Sequence, residues 1–311
     1  MTRESIPWVE KYRPSEFEEI ILDDNNKELF KNIIKTKNFP NLLLHGPPGI
    51  GKTTVIINLI NKFKKNSNDN EKSSVIHLNA SDERGIDIIR NNIYNFVRSD
   101  SLFSNGTKFV ILDEVDYMTR IAQQALKCLM QEYNKDIKYC LICNYLSKID
   151  YSLQYEFIKV RFNKLAEDNI LNYLLKIKKE ENIKISNNTI KNIIKNYDSD
   201  IRSMINYIQS NNYNKINILN DNNYTNLLNV NINNDVKQFS KSLNLIESRY
   251  KLNKNIIIKN YITYILNNKI DLLDNIIIKE LEFITHNLNN VNEDLTIFYI
   301  YNCIKKINLY Q

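Results

Sequence analysis

Glycine and proline are scarce in this sequence and confined to one part of it. The 311 residues contain five of each, and the last of them is Gly106. Because these two residue types mark turns and break helices, their absence after position 106 argues against a turn-rich fold there. The first third of the chain therefore carries the special turns, and the rest can be almost entirely helical.

Cysteine is also sparse, with four residues. Two of them, Cys140 and Cys143, form a CxxC pattern that could be half of a zinc site. Such a site needs a second CxxC or a nearby pair of histidines, and the sequence offers neither. The apolar segment YCLIC is better interpreted as a buried strand, in which residues three apart point to opposite faces. We therefore expect no zinc site here.

Long apolar runs are missing as well. The most apolar segment of the later part, 295–304, contains Asn302 and is shorter than the roughly 20 residues that span a bilayer. The first residues, MTRESIPWVE, are polar, so no signal peptide is visible. These features predict a soluble, intracellular protein with no membrane partner. The formal net charge of +6 permits a polyanionic partner.

Short apolar segments alternate with amphipathic segments in the first half of the chain. The strand-like segments are 41–45, 74–79, 108–113, 138–143 and 157–162, and the helical ones are 27–36, 52–65, 86–97 and 123–133. Such alternation predicts an α/β domain with a five-stranded parallel sheet and helices on both faces. We place this domain at residues 1–163.

From residue 164 onward the pattern is helical throughout. Three short amphipathic segments, 170–180, 188–197 and 199–210, predict a small helical domain over 164–225. Residues 226–311 read as further helices, for example 256–266 and 271–283. The predicted organisation is an α/β domain followed by two all-α domains.

A glycine-rich segment, GPPGIGKT at 46–53, follows the first predicted strand and precedes a predicted helix. It satisfies the pattern G-x-x-x-x-G-K-[ST] of a P-loop in the required context. There, backbone N–H groups turn inward around phosphate oxygens, and the helix N-terminus adds partial positive charge. We expect Lys52 to contact the β- and γ-phosphates of ATP and Thr53 to ligate Mg²⁺. The expected nucleotide contacts are Gly46, Pro47, Pro48, Gly49, Ile50, Gly51, Lys52, Thr53 and Thr54.

Two acids end the third predicted strand, in VILDEVD. We expect Asp113 to complete the Mg²⁺ site and Glu114 to orient and deprotonate the attacking water. Asn144, just after the fourth strand, can polarise the same water or sense the γ-phosphate. Arg202, at the start of a later helix, is placed to contact phosphate. Without the two main motifs, these residues would be ordinary surface and loop residues.

These segments together resemble the small subunits of replication factor C, the AAA+ clamp loader. The resemblance rests on PWVEKYRP (7–14), HGPPGIGKTT (45–54), LNASDERGID (78–87), ILDEVDYMT (111–119), AQQALK (122–127), LICNYLSKI (141–149) and SDIRSMIN (199–206). LNASDERGID is particularly specific, because P-loop proteins in general lack it. The segments CLICNYLSKI (140–149) and NGTKFVILDE (105–114) are most similar to the small subunit at the middle of the five-membered ring. The motif SDIRSMIN falls within the helical domain at 164–225, which would be the family's lid, whereas position and helical pattern alone suggest the family's collar domain at 226–311.

The resemblance implies roles for residues outside the P-loop. The residues that flank the adenine would be Val9, Tyr12 and Arg13. The residues that follow the phosphates of primer–template DNA would be Arg84 and Arg90, with Arg120 as a weaker third candidate. Phosphate contacts position a protein without reading sequence, so this binding would be structure-specific and salt-sensitive. Ordinary solvated helix charges remain the alternative for these arginines.

The resemblance also implies partners. They would be the other replication factor C subunits in a hetero-pentameric ring, the sliding clamp PCNA and primer–template DNA, all in the nucleus. The segment FVRSDSLF, at 96–103, falls where the family contacts the clamp. Leu102 and Phe103 would enter a clamp pocket or, equally, pack in the core.

The sequence departs from the family at one functional position. The family has a Ser-Arg-Cys triplet after the sensor strand, and its arginine reaches the neighbouring subunit's γ-phosphate. Alignment without a gap puts this triplet on Tyr155, Glu156 and Phe157, so that Glu156 occupies the arginine position. An arginine finger accelerates hydrolysis by roughly 10³–10⁵-fold where it acts. The neighbour's site would therefore lack its finger.

Three readings follow from these observations. The first is an ATPase subunit of a clamp loader, which the intact Asp113–Glu114 pair favours. The second is a scaffold subunit that binds nucleotide and DNA and scarcely hydrolyses ATP; the acid pair argues against it, and Glu156 argues for dependence on partners. The third is another AAA+ machine such as a helicase loader, which LNASDERGID disfavours.

Overall fold

The computed structural model describes residues 6–67, 74–81, 88–98, 106–132, 137–211, 219–233, 235–250, 252–270, 273–288 and 292–307, with the side chains of 67, 88–90 and 233 excepted. Two compact units are distinguished. The first comprises Met1–Glu180 and Ser199–Gln209, and the second comprises Glu181–Asp198 and Ser210–Gln311.

The first unit is built on a five-stranded parallel sheet. Its strands are β1 (Leu42–His45), β2 (Val75–Asn79), β3 (Lys108–Asp113), β4 (Ile137–Cys143) and β5 (Ile158–Arg161). Their order is β2-β3-β4-β1-β5, and every described pairing is parallel. The predicted sheet is confirmed. The central strands read as continuous apolar runs because a parallel sheet is covered on both faces.

Two separate hydrophobic clusters cover the two faces of the sheet. Along β4, Cys140 packs in one cluster with Phe30 and Phe109, whereas Cys143 packs in the other with Leu126. The two thiols therefore lie on opposite faces, as the strand interpretation of YCLIC predicted. In this position they contribute to the core, and they do not converge on a common ligand.

Helices of the first unit include α1 (Trp8–Lys11), α2 (Asp24–Thr36), α3 (Lys52–Ser67), α5 (Arg120–Glu132), α6 (Tyr151–Gln154), α7 (Glu167–Glu180) and α9 (Ile201–Ser210). Helix α2 begins three residues before its predicted start because Asp23 caps it: its side chain accepts the N–H of Asn26. Thr119 likewise precedes α5 and accepts the N–H of Ala122 at 3.2 Å. Both predicted helices were therefore too short at their N-terminal ends.

The segment predicted as one helix over 86–97 differs from the expectation. Residues 86 and 87 lie outside the described residues, and a π-helical stretch, Ile88–Ile93, leads into α4 (Tyr94–Arg98). π-Helical turns are rare and occur often at functional sites. The predicted end of the fourth helix at 133 also lies outside the described part of the chain.

The second unit is helical in its described part. It contains α8 (Asn187–Tyr197), α10 (Asp221–Asn233), α11 (Val236–Tyr250), α12 (Lys254–Asn268), α13 (Asn275–Asn287) and α14 (Glu293–Ile307). Phe239 and Tyr261 lie at the centre of one continuous core. The predicted helix over 271–283 was wrong at its start, because the Asp274 side chain accepts the N–H of Ile277 and caps α13. Among the described helices, each is too short or too polar to cross a membrane.

Candidate nucleotide-binding site

The expected site residues lie at one edge of the sheet. Because β1 pairs with β4 and β3 pairs with β4 in parallel, the carboxyl ends of the three strands meet there. Gly46, Asp113 and Asn144 lie at these ends: Asp113 is the last residue of β3, and the other two each follow the last residue of a strand. In open parallel sheets, ligands bind at this edge.

The P-loop backbone at Gly49 requires glycine. Its φ is 75°, in the left-handed region, and a Cβ atom there would collide with the Asp200 carboxylate. Asp200 cannot easily move, because it accepts hydrogen bonds from the Ser203 backbone N–H at 3.1 Å and hydroxyl at 2.7 Å. The loop and the start of α9 therefore lie in direct contact.

Lys52 links the P-loop to the end of β4. Its ammonium donates to the Gly46 carbonyl at 2.8 Å, the Pro47 carbonyl at 2.7 Å and the Asn144 amide oxygen at 2.9 Å. These bonds use the three donors that a lysine has. Burial lowers the pKa of Lys52, and the charge of Asp113 opposes this shift. Lys52 and Asn144, which are far apart in sequence, are thus in direct contact.

Thr53 and Asp113 bring two oxygen atoms together. The threonine hydroxyl donates to the Asp113 carboxylate at 2.6 Å. Two ligands of one Mg²⁺, at 2.0–2.1 Å each and at right angles, lie about 3 Å apart. The described residues contain no cluster of three or more His, Cys, Asp or Glu side chains suited to a metal. Mg²⁺ does not need one, because it commonly uses one or two carboxylates together with substrate phosphates. The pair therefore fits Mg²⁺.

Glu114 has an unusual backbone. Its φ of 55° and ψ of 37° lie in the left-handed region, which non-glycine residues seldom occupy. Its N–H donates to the Asp113 carboxylate at 2.9 Å, and its carbonyl accepts the Tyr117 N–H at 3.0 Å. Such strained residues cluster at functional sites. Glu114 lines the same cavity as Lys52 and Thr53.

A cavity of about 200 Å³ collects most of the expected nucleotide contacts. The residues of the sequence prediction that line it are Val9, Arg13, Pro48, Gly49, Ile50, Gly51, Lys52, Thr53, Thr54, Asp113, Glu114, Asn144 and Arg202. Three other expected contacts are not among its lining residues. Gly46 and Pro47 bind Lys52 through their carbonyls, and the Tyr12 carbonyl accepts the Tyr173 hydroxyl at 2.6 Å.

Sequence reasoning missed part of the cavity wall. The additional lining residues are Glu10, Pro14, Glu19, Ile20, Ile21, Leu165, Tyr173, Ile201 and Ile205. Burial raises the pKa of Tyr173 to about 12, and its protonated hydroxyl donates to the Tyr12 carbonyl. The Trp8 backbone N–H donates to the Gln209 side-chain oxygen at 3.0 Å, which connects α1 to α9. These contacts join residues far apart in sequence, and no local pattern could have revealed them.

Arg13 is anchored beside the P-loop helix. Its Nε donates to the Thr54 hydroxyl at 3.1 Å, and its Nη1 lies 3.4 Å from the Glu10 carboxylate. Arg202, in the first turn of α9, lies on another part of the same wall. Three cationic side chains, counting Lys52, therefore line the cavity beside the carboxylates of Glu10, Glu19, Asp113 and Glu114, a balance that suits a polyanion bound together with a metal cation.

The predicted DNA and clamp residues are only partly described. Arg84, Leu102 and Phe103 lie outside the described residues, and Arg90 belongs to the π-helical stretch without a described side chain. Arg120 is the first residue of α5 and is exposed. Its DNA contact therefore stays a prediction, as do those of the other two arginines.

Glu156 lies in the turn between α6 and β5. It is half-buried, and the Gln131 side-chain amide donates to its carboxylate at 3.1 Å. The Glu156 carboxylate is therefore hydrogen-bonded to a residue near the end of α5.

Comparisons with known proteins identify similar chains. Residues 42–165 match the model of the ATPase family associated with various cellular activities (AAA). Replication factor C subunit 5 of Mus musculus is 40% identical over 191 residues, which are 61% of this chain and 56% of that protein. A small subunit of Sulfolobus acidocaldarius replication factor C is 40% identical over 61% of this chain and 58% of that protein. Subunit 3 of Saccharomyces cerevisiae is 36% identical over 62% and 56%.

The resemblance to replication factor C small subunits is confirmed. The matching region spans somewhat more than half the length of these relatives. Among solved structures, RuvB of Thermotoga maritima is similar, with a TM-score of 0.53 and 14% identity, covering 82% of this chain and 91% of that one. At this identity the likeness concerns the fold alone. The predicted fold class, an AAA domain with a parallel sheet and a helical C-terminal region, is confirmed.

Proposed function

We propose that this chain is an Mg-ATP-binding and hydrolysing subunit of a replication factor C clamp loader. One observation carries the proposal: Lys52, Thr53, Asp113, Glu114 and Asn144 converge on one cavity at the carboxyl edge of the sheet. A P-loop alone supports nucleotide binding. The acid pair and the asparagine beside it add groups that can hold Mg²⁺ and activate the attacking water.

In the proposed reaction, each side chain has a separate role. Lys52 exchanges a carbonyl or amide partner for the β- and γ-phosphate oxygens and so neutralises their charge. Glu114 orients the attacking water and accepts its proton, while Asn144 polarises that water or contacts the γ-phosphate. Arg202 binds phosphate from α9. Val9, Tyr12 and Arg13 hold the adenine end.

The metal would be held by Thr53 and Asp113. When bound, Mg²⁺ supplies electrostatic stabilisation of the charge that develops on the phosphate oxygens. The contribution of the protein is the orientation of the two oxygen ligands, which already lie 2.6 Å apart.

The proposed partners follow from the relatives. We infer that the chain assembles with other replication factor C subunits and, in the nucleus, opens PCNA and loads it onto primer–template DNA. Arg84, Arg90 and Arg120 would contact the DNA phosphates. The proposed domain limits, 1–163 for the ATPase domain, 164–225 for the lid and 226–311 for the collar, follow the same resemblance.

The proposal includes a division of labour around the ring. This chain keeps its own site and depends on a neighbour for an arginine, whereas Glu156 gives its other neighbour a carboxylate in place of that arginine. A carboxylate there repels phosphate. ATP hydrolysis at that neighbour's site is therefore expected to be slow or to use another cation.

Two variants test the proposed chemistry. We expect Lys52→Ala to abolish ATP binding, measured with a fluorescent ATP analogue on the chain alone. We expect Glu114→Gln to retain binding and to reduce ATP turnover by roughly 10²–10⁴-fold at this site in the reconstituted complex, because the general base is removed.

A scaffold role is the second candidate: the chain would bind nucleotide and DNA in the ring and scarcely hydrolyse ATP itself. It predicts that Glu114→Gln leaves the turnover of the complex unchanged while Lys52→Ala still impairs assembly or DNA binding. Failure of the wild-type chain to bind ATP would contradict both candidates.

A further inference from the structure

Helix α9 is connected to the P-loop at its start and to α1 at its end. The Asp200 carboxylate, just before α9, lies so close to Gly49 that a Cβ atom there would come within 1.9 Å of it. Gln209, in the last turn of α9, accepts the Trp8 backbone N–H at 3.0 Å. One helix therefore joins the loop expected to hold the phosphates to the segment expected to flank the adenine.

Packing makes α9 a stiff connection between these two contacts. Met204, Ile205 and Ile208 lie on one face of the helix and are at most 3% exposed. Arg202 and Gln209 are separated by about two helical turns, so they project from the same side of α9, about 10 Å apart along its axis. Because the helix is rigid, these two side chains keep a fixed position relative to each other.

The bond to Gln209 satisfies a helix end that has no side-chain cap of its own. Helix α1 begins at Trp8 after Pro7, and a proline side chain offers no hydrogen-bond acceptor. The first N–H groups of a helix have no partner within that helix. Gln209 supplies this partner from another helix, and Trp8 itself is buried. The start of α1 is thus positioned by α9.

Other helices hold the residues that follow α1. The Pro14 carbonyl accepts the Asn58 side-chain amide of α3 at 2.9 Å, and the Tyr12 carbonyl accepts the Tyr173 hydroxyl of α7 at 2.6 Å. These bonds fix the later part of the segment and leave its first residue to the bond with Gln209. The adenine end of the cavity wall therefore depends on α9 at its start and on α3 and α7 at its end.

We propose that Gln209 is a positioning residue of the nucleotide site. Through its bond to Trp8 it holds α1 and Arg202 in one rigid wall, so that the same helix sets the adenine end and the γ-phosphate end of the cavity. A preorganised site binds more tightly, because less order has to be imposed when the ligand arrives. The inference rests on the proposed function, in which Arg202 contacts phosphate, and it adds a residue that does not line the cavity.

The test compares ATP with inorganic tripolyphosphate, which has no base. Both compete with a fluorescent ATP analogue for the 311-residue chain in the presence of Mg²⁺. Gln209→Met keeps the length of the side chain and removes the acceptor, and we expect it to weaken ATP binding by about 5-fold, within the roughly 2–10-fold that one hydrogen bond is worth. Tripolyphosphate binding should weaken by about 3-fold, because Arg202 loses its position. In an Arg202→Gln chain, Gln209→Met should no longer affect tripolyphosphate.

Three further variants separate positioning from folding. Gln209→Glu keeps an acceptor oxygen and should bind both ligands as the wild type does, in roughly 0.15 M salt to screen the added charge. Asn206→Leu, the equivalent change at an exposed position of α9, should leave both affinities unchanged. Gln209→Asn, whose shorter side chain no longer reaches Trp8, replaces the methionine variant if that one unfolds at the assay temperature.

The possible outcomes distinguish this inference from the proposed function. An unchanged ATP affinity in Gln209→Met would overturn the inference alone. A loss for ATP without one for tripolyphosphate would also overturn it, because Gln209 would then act on the adenine end only. Losses that persist in the Arg202→Gln chain would mean that Gln209 acts through general stability and does not position Arg202. A wild-type chain that binds neither ligand would contradict the proposed function itself.

Discussion

Strain at Glu114 is the clearest residue-scale sign that this edge of the sheet serves function. A non-glycine residue in the left-handed region costs on the order of 1–3 kcal/mol. The chain keeps a glutamate there although glycine would adopt the same φ of 55° without strain. The carboxylate is therefore retained at the expense of stability, as expected for a group that acts on a ligand.

This strain gives a prediction on stability. We expect Glu114→Gly to be more stable than Glu114→Ala by about 1 kcal/mol, because only alanine keeps a Cβ in the strained conformation. Both variants should lose hydrolysis equally. Denaturant unfolding followed by fluorescence of Trp8, the single tryptophan and a buried residue of the first unit, provides the measurement. If the alanine variant is as stable as the glycine variant, the conformation carries no strain.

His45, at the end of β1, predicts a pH dependence. Burial lowers its pKa below 6.5, and the nearby charges of Arg161, Lys159 and Lys52 lower it further. The unfolded chain therefore binds a proton at higher pH than the folded one. This contribution to stability is complete above pH 6.5 and is lost as pH falls through the folded pKa.

We expect the stability to fall less steeply with decreasing pH in a variant whose residue 45 cannot bind a proton. His45→Gln should lose less stability than the wild type between pH 7.5 and pH 5.5, again measured by Trp8 fluorescence in denaturant. His286, which is exposed in the second unit, offers a control: His286→Gln should leave the Trp8 transition unchanged. An unaltered slope in His45→Gln would remove this histidine from the acid response.

At the scale of elements, helix caps determine where the helices begin. Asp274 accepts the Ile277 N–H at 2.7 Å and so starts α13. We expect Asp274→Ala to destabilise the second unit by about 1 kcal/mol, because a helix N–H loses its acceptor. Asp274→Asn should retain most of the stability, since asparagine caps equally well. Thermal unfolding followed by far-UV circular dichroism compares the two; equal losses would mean that the cap contributes little.

The sequence predicted the strands better than the helix ends for a physical reason. A buried strand such as Lys108–Asp113 is an apolar run flanked by charges, and its bounds matched the prediction. Helices α2 and α5 begin earlier than predicted because the apolar periodicity starts after the cap. The polar residues Asp23 and Thr119 mark the true starts, and they are visible in the sequence as capping residues.

The site residues that belong to local sequence motifs could be predicted from the sequence. The residues that reach the cavity only through tertiary contacts could not. The P-loop, the acid pair and Asn144 follow strands that parallel pairing brings together. Tyr173 and Ile205 reach the cavity from α7 and α9, and the Tyr173–Tyr12 bond spans 161 positions. No local periodicity encodes such a contact. Gln123 likewise has no distinctive local pattern in the sequence. In the structure its side-chain amide donates to the carbonyls of Met118 and Lys148, in the loops after β3 and β4.

At the scale of the whole molecule, the proposed activity belongs to an assembly. The cavity in the first unit is lined by the residues proposed to bind ATP and to activate water, whereas the arginine proposed to complete hydrolysis would come from a neighbour. The Gln131 side-chain amide donates to the Glu156 carboxylate. The residues that flank Glu156 in this turn, Tyr155 and Phe157, offer no arginine in its place. The consequence of this glutamate is therefore expected at the adjacent subunit's site.

The last prediction concerns that adjacent site. In a reconstituted ring in which Lys52→Ala silences this chain's own site, we expect Glu156→Arg to raise the neighbour's ATP turnover, because a cation replaces a carboxylate near its γ-phosphate. The full effect of an arginine finger is roughly 10³–10⁵-fold, so even partial alignment is measurable. Glu156→Gln is the matched control: it removes the negative charge and adds no cation. A rise with arginine alone means that a finger was missing, an equal rise with both means that repulsion limited the site, and no rise in either variant excludes Glu156 as the limiting residue.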